Sequence, residues 1–250
     1  MPRQAREKSS TGIYHVMLRG INQQQIFEEQ EDYLKFLEIV KEYKIISKFE
    51  IYAYCLMGNH IHLLIKVLEE PLEQIFKRIG GKFVYWYNIK YQRVGHLFQD
   101  RFKSEPVETT DYFLTVIRYI HQNPIKAGLC KELIDYPYSS YKEYIFGGDL
   151  IDREFVLQMR DLERFVAFNN IKSHDKCLDI SEDDRPSIRV TDEQAKTIIK
   201  KVSKCESVAE FQALDEKKRD KHLHKLREKG LSIRQISRLT GISVGIVRKA

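Results

Sequence analysis

Two hydrophobic periods alternate along the first half of the chain. "IYHVMLRG" (13–20) is rich in β-branched and aromatic residues and ends in Gly20, which predicts a strand and then a turn. "EQEDYLKFLEIVKEYKII" (29–46) sets Tyr33, Phe36, Leu37, Val40 and Tyr43 at helical spacing. "FEIYAYCLM" (49–57) and "HIHLLIKV" (60–67) read as strands joined by a tight "GN" hairpin turn. "LEQIFKRIGGKFVYWYNIKYQ" (72–92) is a helix that Gly80 and Gly81 are expected to bend. "FKSEPVET" (102–109) is a short edge strand, because Pro106 has no N–H to give to a neighbour. "TDYFLTVIRYIHQN" (110–123) is a helix capped near Thr110 or Asp111 and ended by Pro124. The order βαββαβα predicts an α+β fold: a ferredoxin-like antiparallel sheet with helices packed on one face.

Beyond this the pattern changes. "DYPYSSYKEYIFGGD" (135–149) reads as a wrap that closes a domain of residues 1–148. Residues 149–186 are an acidic connecting region with one helix, "REFVLQMRDLERFVAF", and Pro186 at the far edge. Residues 187–250 form a small all-α domain. Near its end Ile233, Ile236 and Leu239 make one short apolar face, Gly241 turns the chain, and Ile242, Ile246 and Val247 begin another. Two short helices about a Gly turn, laced with Arg234, Arg238, Arg248 and Lys249, make a helix-turn-helix pattern that fits duplex DNA.

Charge sharpens this division. Residues 1–148 carry 20 Lys and Arg against 18 Asp and Glu, residues 149–185 carry 6 against 10, and residues 186–250 carry 16 against 8. The basic excess lies at the C-terminal end, where it would draw a polyanion; a solvated face of Lys-rich helices is the plainer alternative. The 4 cysteines form no CxxC pair, which argues against a disulfide framework and a cysteine zinc site. With neither a membrane-length apolar run nor a signal-like N-terminus, a cytoplasmic protein without a membrane partner is expected.

Candidate chemistry begins at "HIH". Alternation on a strand puts His60 and His62 on one face, about 6.6 Å apart at their α-carbons, with Ile61 on the other. Such a pair can converge on one divalent ion, or simply face solvent or a hydrogen-bond partner. The helix at 110–123 offers what a metal site would lack. At about 100° per residue, Phe113, Val116, Ile117 and Ile120 form its sheet-facing stripe, and Tyr112, Tyr119 and Asn123 an adjoining one. Tyr119 and Asn123 stand one turn apart. A carboxamide oxygen suits Mg2+ or Mn2+, and a phenol beside such an ion can attack phosphorus. Tyr119 as an ordinary core-edge residue is the alternative.

"YHVMLRG" (14–20), "CLMGNHIHLLI" (55–65), "GHLFQDRFKSEPV" (95–107), "YFLTVIRYIHQNPIKAGL" (112–129) and "YPYSSYKEY" (136–144) together resemble the IS200-type single-tyrosine transposases, most closely the REP-associated branch of the HUH endonucleases. The resemblance covers residues 12–146. It implies that His60 and His62 are metal ligands completed by Asn123, with Mg2+ or Mn2+ bound, and that Tyr119 is the nucleophile. It further implies cleavage of single-stranded DNA, often beside a hairpin, through a 5′-phosphotyrosine intermediate, by a monomer or a homodimer. Arg101, Lys103, Arg118 and Lys126 lie in the matched blocks and would hold flanking phosphates; ordinary surface charge is the alternative. Gly58 stands where relatives usually carry proline, which should loosen the turn before "NH", and Phe98 replaces a common tryptophan. The C-terminal region lies outside the resemblance. A domesticated DNA-binding regulator that does not cut is the competing reading, and a zinc hydrolase is disfavoured by the amide third ligand.

Overall fold

The computed structural model describes residues 6–173, 175, 177–179, 192–205 and 207–249. They fall into two compact units, Met1–Ile180 and Ser181–Ala250. In the first, four strands, β1 (Ile13–Arg19), β2 (Phe49–Met57), β3 (His60–Val67) and β4 (Lys103–Pro106), form an antiparallel sheet of order β2-β3-β1-β4. This is the ferredoxin-like order. β4 pairs only with β1, so Pro106 sits at an edge where a missing N–H is harmless.

The crossover helices are α1 (Gln30–Ser47) and α2 (Leu72–Lys90). α1 starts with a capping box between Glu29 and Asp32, and Phe36, Ile39 and Val40 form its buried stripe. α2 runs unbroken through Gly80 and Gly81, burying Ile75, Phe76, Ile79 and Phe83. Phe36 and Phe83 meet edge to face at 5.2 Å, joining the two helices. Phe76 packs on Phe102, the residue before β4, at 4.8 Å. The face of the sheet bearing Val16, Leu18, Ile61 and Leu63 is thereby buried.

The opposite face carries His15, Met17, Cys55, His62 and Leu64, all buried as well. Its cover is α3 (Thr110–Lys126), which adds a helix on the face that the expectation of one-sided packing leaves open. The cap of α3 is Thr109, whose hydroxyl accepts from the Tyr112 amide at 3.2 Å, rather than Thr110 or Asp111. Pro124 does not end the helix, which continues to Lys126; a proline near a C-terminus removes one N–H without forbidding its own helical φ.

β2 is the other edge, and the segment after α3 covers it. Leu56 N–H donates to Tyr138 O at 2.9 Å, Ser140 N–H to Tyr54 O at 3.0 Å, and the Tyr144 hydroxyl to Tyr52 O at 2.6 Å. The expected wrap is thus a strand-edge seal that leads into α4 (Tyr141–Phe146). The acidic region is not a bare connection with one helix. It begins with two, α5 (Arg153–Met159) and α6 (Leu162–Asn170), whose Val156 and Phe165 are buried in the first core. Asp161 separates them by capping α6 at the Arg164 amide. The first unit therefore extends well past residue 148; Pro186 lies outside the described residues.

The second unit has its own helices, α7 (Asp192–Ser203), α8 (Val208–Gln212), α9 (Glu216–Glu228), α10 (Ile233–Thr240) and α11 (Val244–Lys249). Phe211, Leu223, Leu226, Ile236, Ile242 and Val247 form its core. Gly241, at φ +69°, closes α10 in the left-handed region, and a side chain there would collide with Gln212. Ile246, expected in an apolar face, is partly exposed.

Candidate active site

The sheet register assembles three histidines. His60 and His62 follow the period of β3, and their rings stand perpendicular with centroids 5.1 Å apart. His15 on β1 pairs with Leu64 on one side and Glu105 on the other, so its ring lies diagonally beside His62. His15 Nε2 and His62 Nδ1 share a hydrogen bond of 3.0 Å. His60 Nδ1–H donates to Asn59 Oδ1 at 2.7 Å. His62 Nε2 is buried and has no hydrogen-bond partner among the described residues. An orphaned imidazole nitrogen in a core is costly unless something binds it.

Burial holds these rings neutral. It pushes His60 down to about 4, and His62 well below the usual imidazole range, with His15 and His60 adding to the effect. His15 is also lowered by burial, against the pull of Glu105. Neutral imidazoles are the form that ligates metals.

Tyr119 projects from α3 over this cluster. Its ring lies 5.7 Å from that of His62 and 5.9 Å from that of His15, both edge on. Its hydroxyl is buried and makes no hydrogen bond among the described residues. Burial raises its pKa, and the nearby Asp179 carboxylate raises it further. Tyr112, the other tyrosine of that stripe, is placed by Glu105 and Cys177 instead. Asn123, one turn beyond Tyr119, is buried, and its Nδ2 donates to Tyr119 O at 3.0 Å. Among the described residues no three His, Cys, Asp or Glu side chains form a metal group. His15 Nε2 is engaged with His62 Nδ1 and does not add a donor beside His62 Nε2. A donor set of two imidazoles and one amide, with a free buried Nε2, fits a hard divalent ion.

The basic residues sort unevenly. Leu97–Gln99 runs beside Arg19 and Gly20, with Gln99 N–H donating to Arg19 O at 2.9 Å, and leads into exposed Arg101 at the His60 end of the sheet. Lys103 is exposed on β4. Lys126 Nζ stands 4.5 Å over the Tyr119 ring and lines a cleft of 680 Å3 that also borders Lys131, Lys172, Gln122 and Asn170. Arg118 is committed otherwise: it pairs with Asp175 at 2.5 Å and stacks on Phe168. In the second unit Arg238 forks onto Asp192 at 2.6 and 2.7 Å, whereas Arg248 and Lys249 are exposed on α11. The Arg234 side chain lies outside the described residues. His15, Asn59 and Glu105 were absent from the sequence expectations. The strand pattern of "YHVMLR" put His15 on a sheet face, but not which face or beside whom.

These features define a class: a ferredoxin-like α+β domain whose sheet presents a His-x-His pair beneath a helical tyrosine. Residues 8–123 match the model of the IS200-like transposase family. A REP-associated tyrosine transposase of Escherichia coli K12 is 24% identical over 143 residues, spanning 56% of this chain and 82% of that protein. A Haemophilus influenzae protein carrying the same description provisionally is 30% identical over 105 residues, or 37% of this chain and 59% of the other. A solved REP-associated tyrosine transposase bound to a REP hairpin shares the fold at a TM-score of 0.51 and 20% identity, covering 61% of this chain and 94% of that one. Among the described residues no helix is long and apolar enough to cross a membrane.

Proposed function

We propose that the first unit is a metal-dependent endonuclease and strand transferase for single-stranded DNA, acting through Tyr119 at or near a hairpin. The observation that carries this reading is the buried, unbonded Tyr119 hydroxyl on a ring packed against His62, whose own Nε2 is unpartnered among the described residues. In the family's reaction a tyrosine oxygen attacks the scissile phosphate, a P–O bond to the 3′-oxygen breaks, and a 5′-phosphotyrosine and a free 3′-hydroxyl result. A later 3′-hydroxyl attack on the adduct reseals a strand and returns the tyrosine, so the bond energy is conserved.

His60, His62 and Asn123 would hold Mg2+ or Mn2+, which would polarise the phosphate and offset charge building on its oxygens. α3 fixes Tyr119 relative to the histidines. Burial keeps its phenol protonated in the resting protein, which disfavours attack without a positively charged centre. Lys126, in the lining of the cleft and over the Tyr119 ring, would meet a phosphate beside the nucleophile. The hairpin preference rests on the relative bound to a REP hairpin.

The test is incubation with Mg2+ or Mn2+ and an end-labelled hairpin oligonucleotide bearing single-stranded flanks, followed by denaturing electrophoresis. A covalent protein–DNA band is expected for the natural chain and no band for Tyr119→Phe or His60→Ala. Duplex binding without any adduct across hairpin sequences would instead favour the non-cutting regulator. The exposed Arg248 and Lys249 on α11, next to the Gly241 turn, support a separate duplex contact through the second unit.

A further inference from the structure

We infer that Glu105 and His15 act as a relay that fixes the tautomer of His62, so that His62 presents Nε2 to the metal; the metal itself rests on the function proposed above. The argument is one of proton counting. A neutral imidazole has one N–H and one lone pair. In the hydrogen bond between His15 Nε2 and His62 Nδ1, one ring donates and the other accepts. If His15 donated, His62 Nδ1 would spend its lone pair, and His62 Nε2 would carry a hydrogen that finds no acceptor among the described residues. If His62 donates, its Nε2 lone pair is exposed toward the site and His15 Nε2 accepts. The hydrogen of His15 is then on Nδ1, which also has no direct hydrogen-bond partner among the described residues but faces the Glu105 carboxylate.

Glu105 decides between these cases. Its Oε2 lies 3.9 Å from His15 Nδ1, beyond a direct hydrogen bond yet close enough for a carboxylate to favour an N–H over a lone pair in a buried setting. The same Oε2 is held in place by the Leu178 N–H at 3.0 Å. The register makes the arrangement a property of the fold: Glu105 faces His15 across the β4–β1 pair, and His15 lies one step diagonal to His62 across β1–β3. His60 reaches the same state by a shorter route. Asn59 Oδ1 can only accept, so His60 Nδ1 donates to it and Nε2 is left free. Both histidines are thus presented by Nε2, one through its neighbour in the hairpin turn and one through a carboxylate two strands away. Carboxylate-oriented histidines are a general device for setting ligand geometry; here a second imidazole stands between the carboxylate and the ligand, which makes Glu105 and His15 positioning residues.

The experiment is long-range 1H–15N correlation of the histidine rings in the metal-free full chain near pH 7.5, repeated for Glu105→Gln, with Mn2+ binding measured on both. The natural chain is expected to show hydrogens on Nδ1 of His15, His60 and His62. Glutamine removes the negative charge that favours an N–H at His15 Nδ1, so Glu105→Gln should shift the hydrogens of His15 and His62 toward Nε2 and leave His60 unchanged. Mn2+ affinity should fall about 10–100-fold, and Glu105→Asp should restore much of it. A natural chain with His62 hydrogen on Nε2 overturns the relay, as does a Glu105→Gln chain with unchanged ring spectra. Ring spectra as expected with no Mn2+ bound by the natural chain would uphold the relay and refute the metal site.

Discussion

The side-chain amide of Asn123 donates to the backbone carbonyl of Tyr119, 3.0 Å away across one turn of α3. That bond orients the amide: one Nδ2 hydrogen goes to the helix backbone, and Oδ1 is left to accept. The nucleophile and the amide ligand of the proposed site are therefore locked to one rigid element.

Asn123→Ala should leave the fold intact but lower the metal-supported adduct rate at least about tenfold, in line with the loss of an oriented ligand. Asn123→Asp keeps an oxygen ligand and should retain Mn2+ binding. Titration calorimetry with Mn2+ on both variants checks this. Equal Mn2+ affinity in the alanine variant and the natural chain would remove Asn123 from the ligand set.

The buried histidines make the first unit acid-sensitive. His121 donates and accepts within the core, between Asn169 Oδ1 at 2.8 Å and Ser140 Oγ at 2.9 Å, and burial lowers its pKa to about 4. His60 is lowered similarly. A histidine whose folded pKa lies below its unfolded value binds protons preferentially when unfolded. Its stabilising effect is complete above about pH 6.5 and declines as the pH falls toward 4, by up to about 1.4 kcal/mol per pH unit per histidine. Urea midpoints of the metal-free chain should therefore drop steeply between about pH 6.5 and 4.5 and stay level from about pH 7 to 8.

Tyr144 seals the β2 edge with a buried hydrogen bond to Tyr52 O at 2.6 Å. Tyr144→Phe strands that carbonyl and should cost about 1–3 kcal/mol of unfolding free energy. Adduct formation by the folded fraction should not change, because Tyr144 packs on His121 and Phe165 rather than on Tyr119 or His62. Chemical denaturation alongside the adduct assay separates the two effects.

In the second unit, Arg248 and Lys249 are exposed whereas Arg238 is occupied by Asp192. The double change Arg248→Gln and Lys249→Gln should weaken duplex DNA binding and reduce the salt dependence of the affinity by about two phosphate contacts. Arg238→Gln should chiefly loosen the α7–α10 pairing. Fluorescence anisotropy over a salt series, with thermal melts of each variant, reports both outcomes.

The strands and the helices of the first unit were legible because their apolar periods are strong, and the placement of His60 and His62 on one face of β3 and of Tyr119 on α3 was legible because each follows from spacing on one element. What escaped notice depends on partners far apart in sequence. His15 and Glu105 acquire meaning only once the β4–β1–β3 register is known. Arg118 and Arg238 looked like free phosphate contacts, and their carboxylate partners, Asp175 and Asp192, lie 57 and 46 residues away. The helices α5 and α6 were merged into one, because a polar break at Arg160 and Asp161 leaves the helical period almost undisturbed. The Gly58 turn, expected to be loose, is pinned by Ile26 N–H donating to Gly58 O at 2.8 Å.

The most direct test of the central claim is to trap the covalent product on a hairpin oligonucleotide in Mg2+ or Mn2+, digest it with nuclease and trypsin, and locate the attached nucleotide by mass spectrometry. Trypsin cuts after Arg118 and Lys126, so Tyr119 begins the peptide YIHQNPIK, whereas Tyr112 lies in the preceding peptide. The account predicts the nucleotide on the peptide of residues 119–126, attached through a 5′-phosphate. Attachment on the peptide that contains Tyr112, or through a 3′-phosphate, would contradict it.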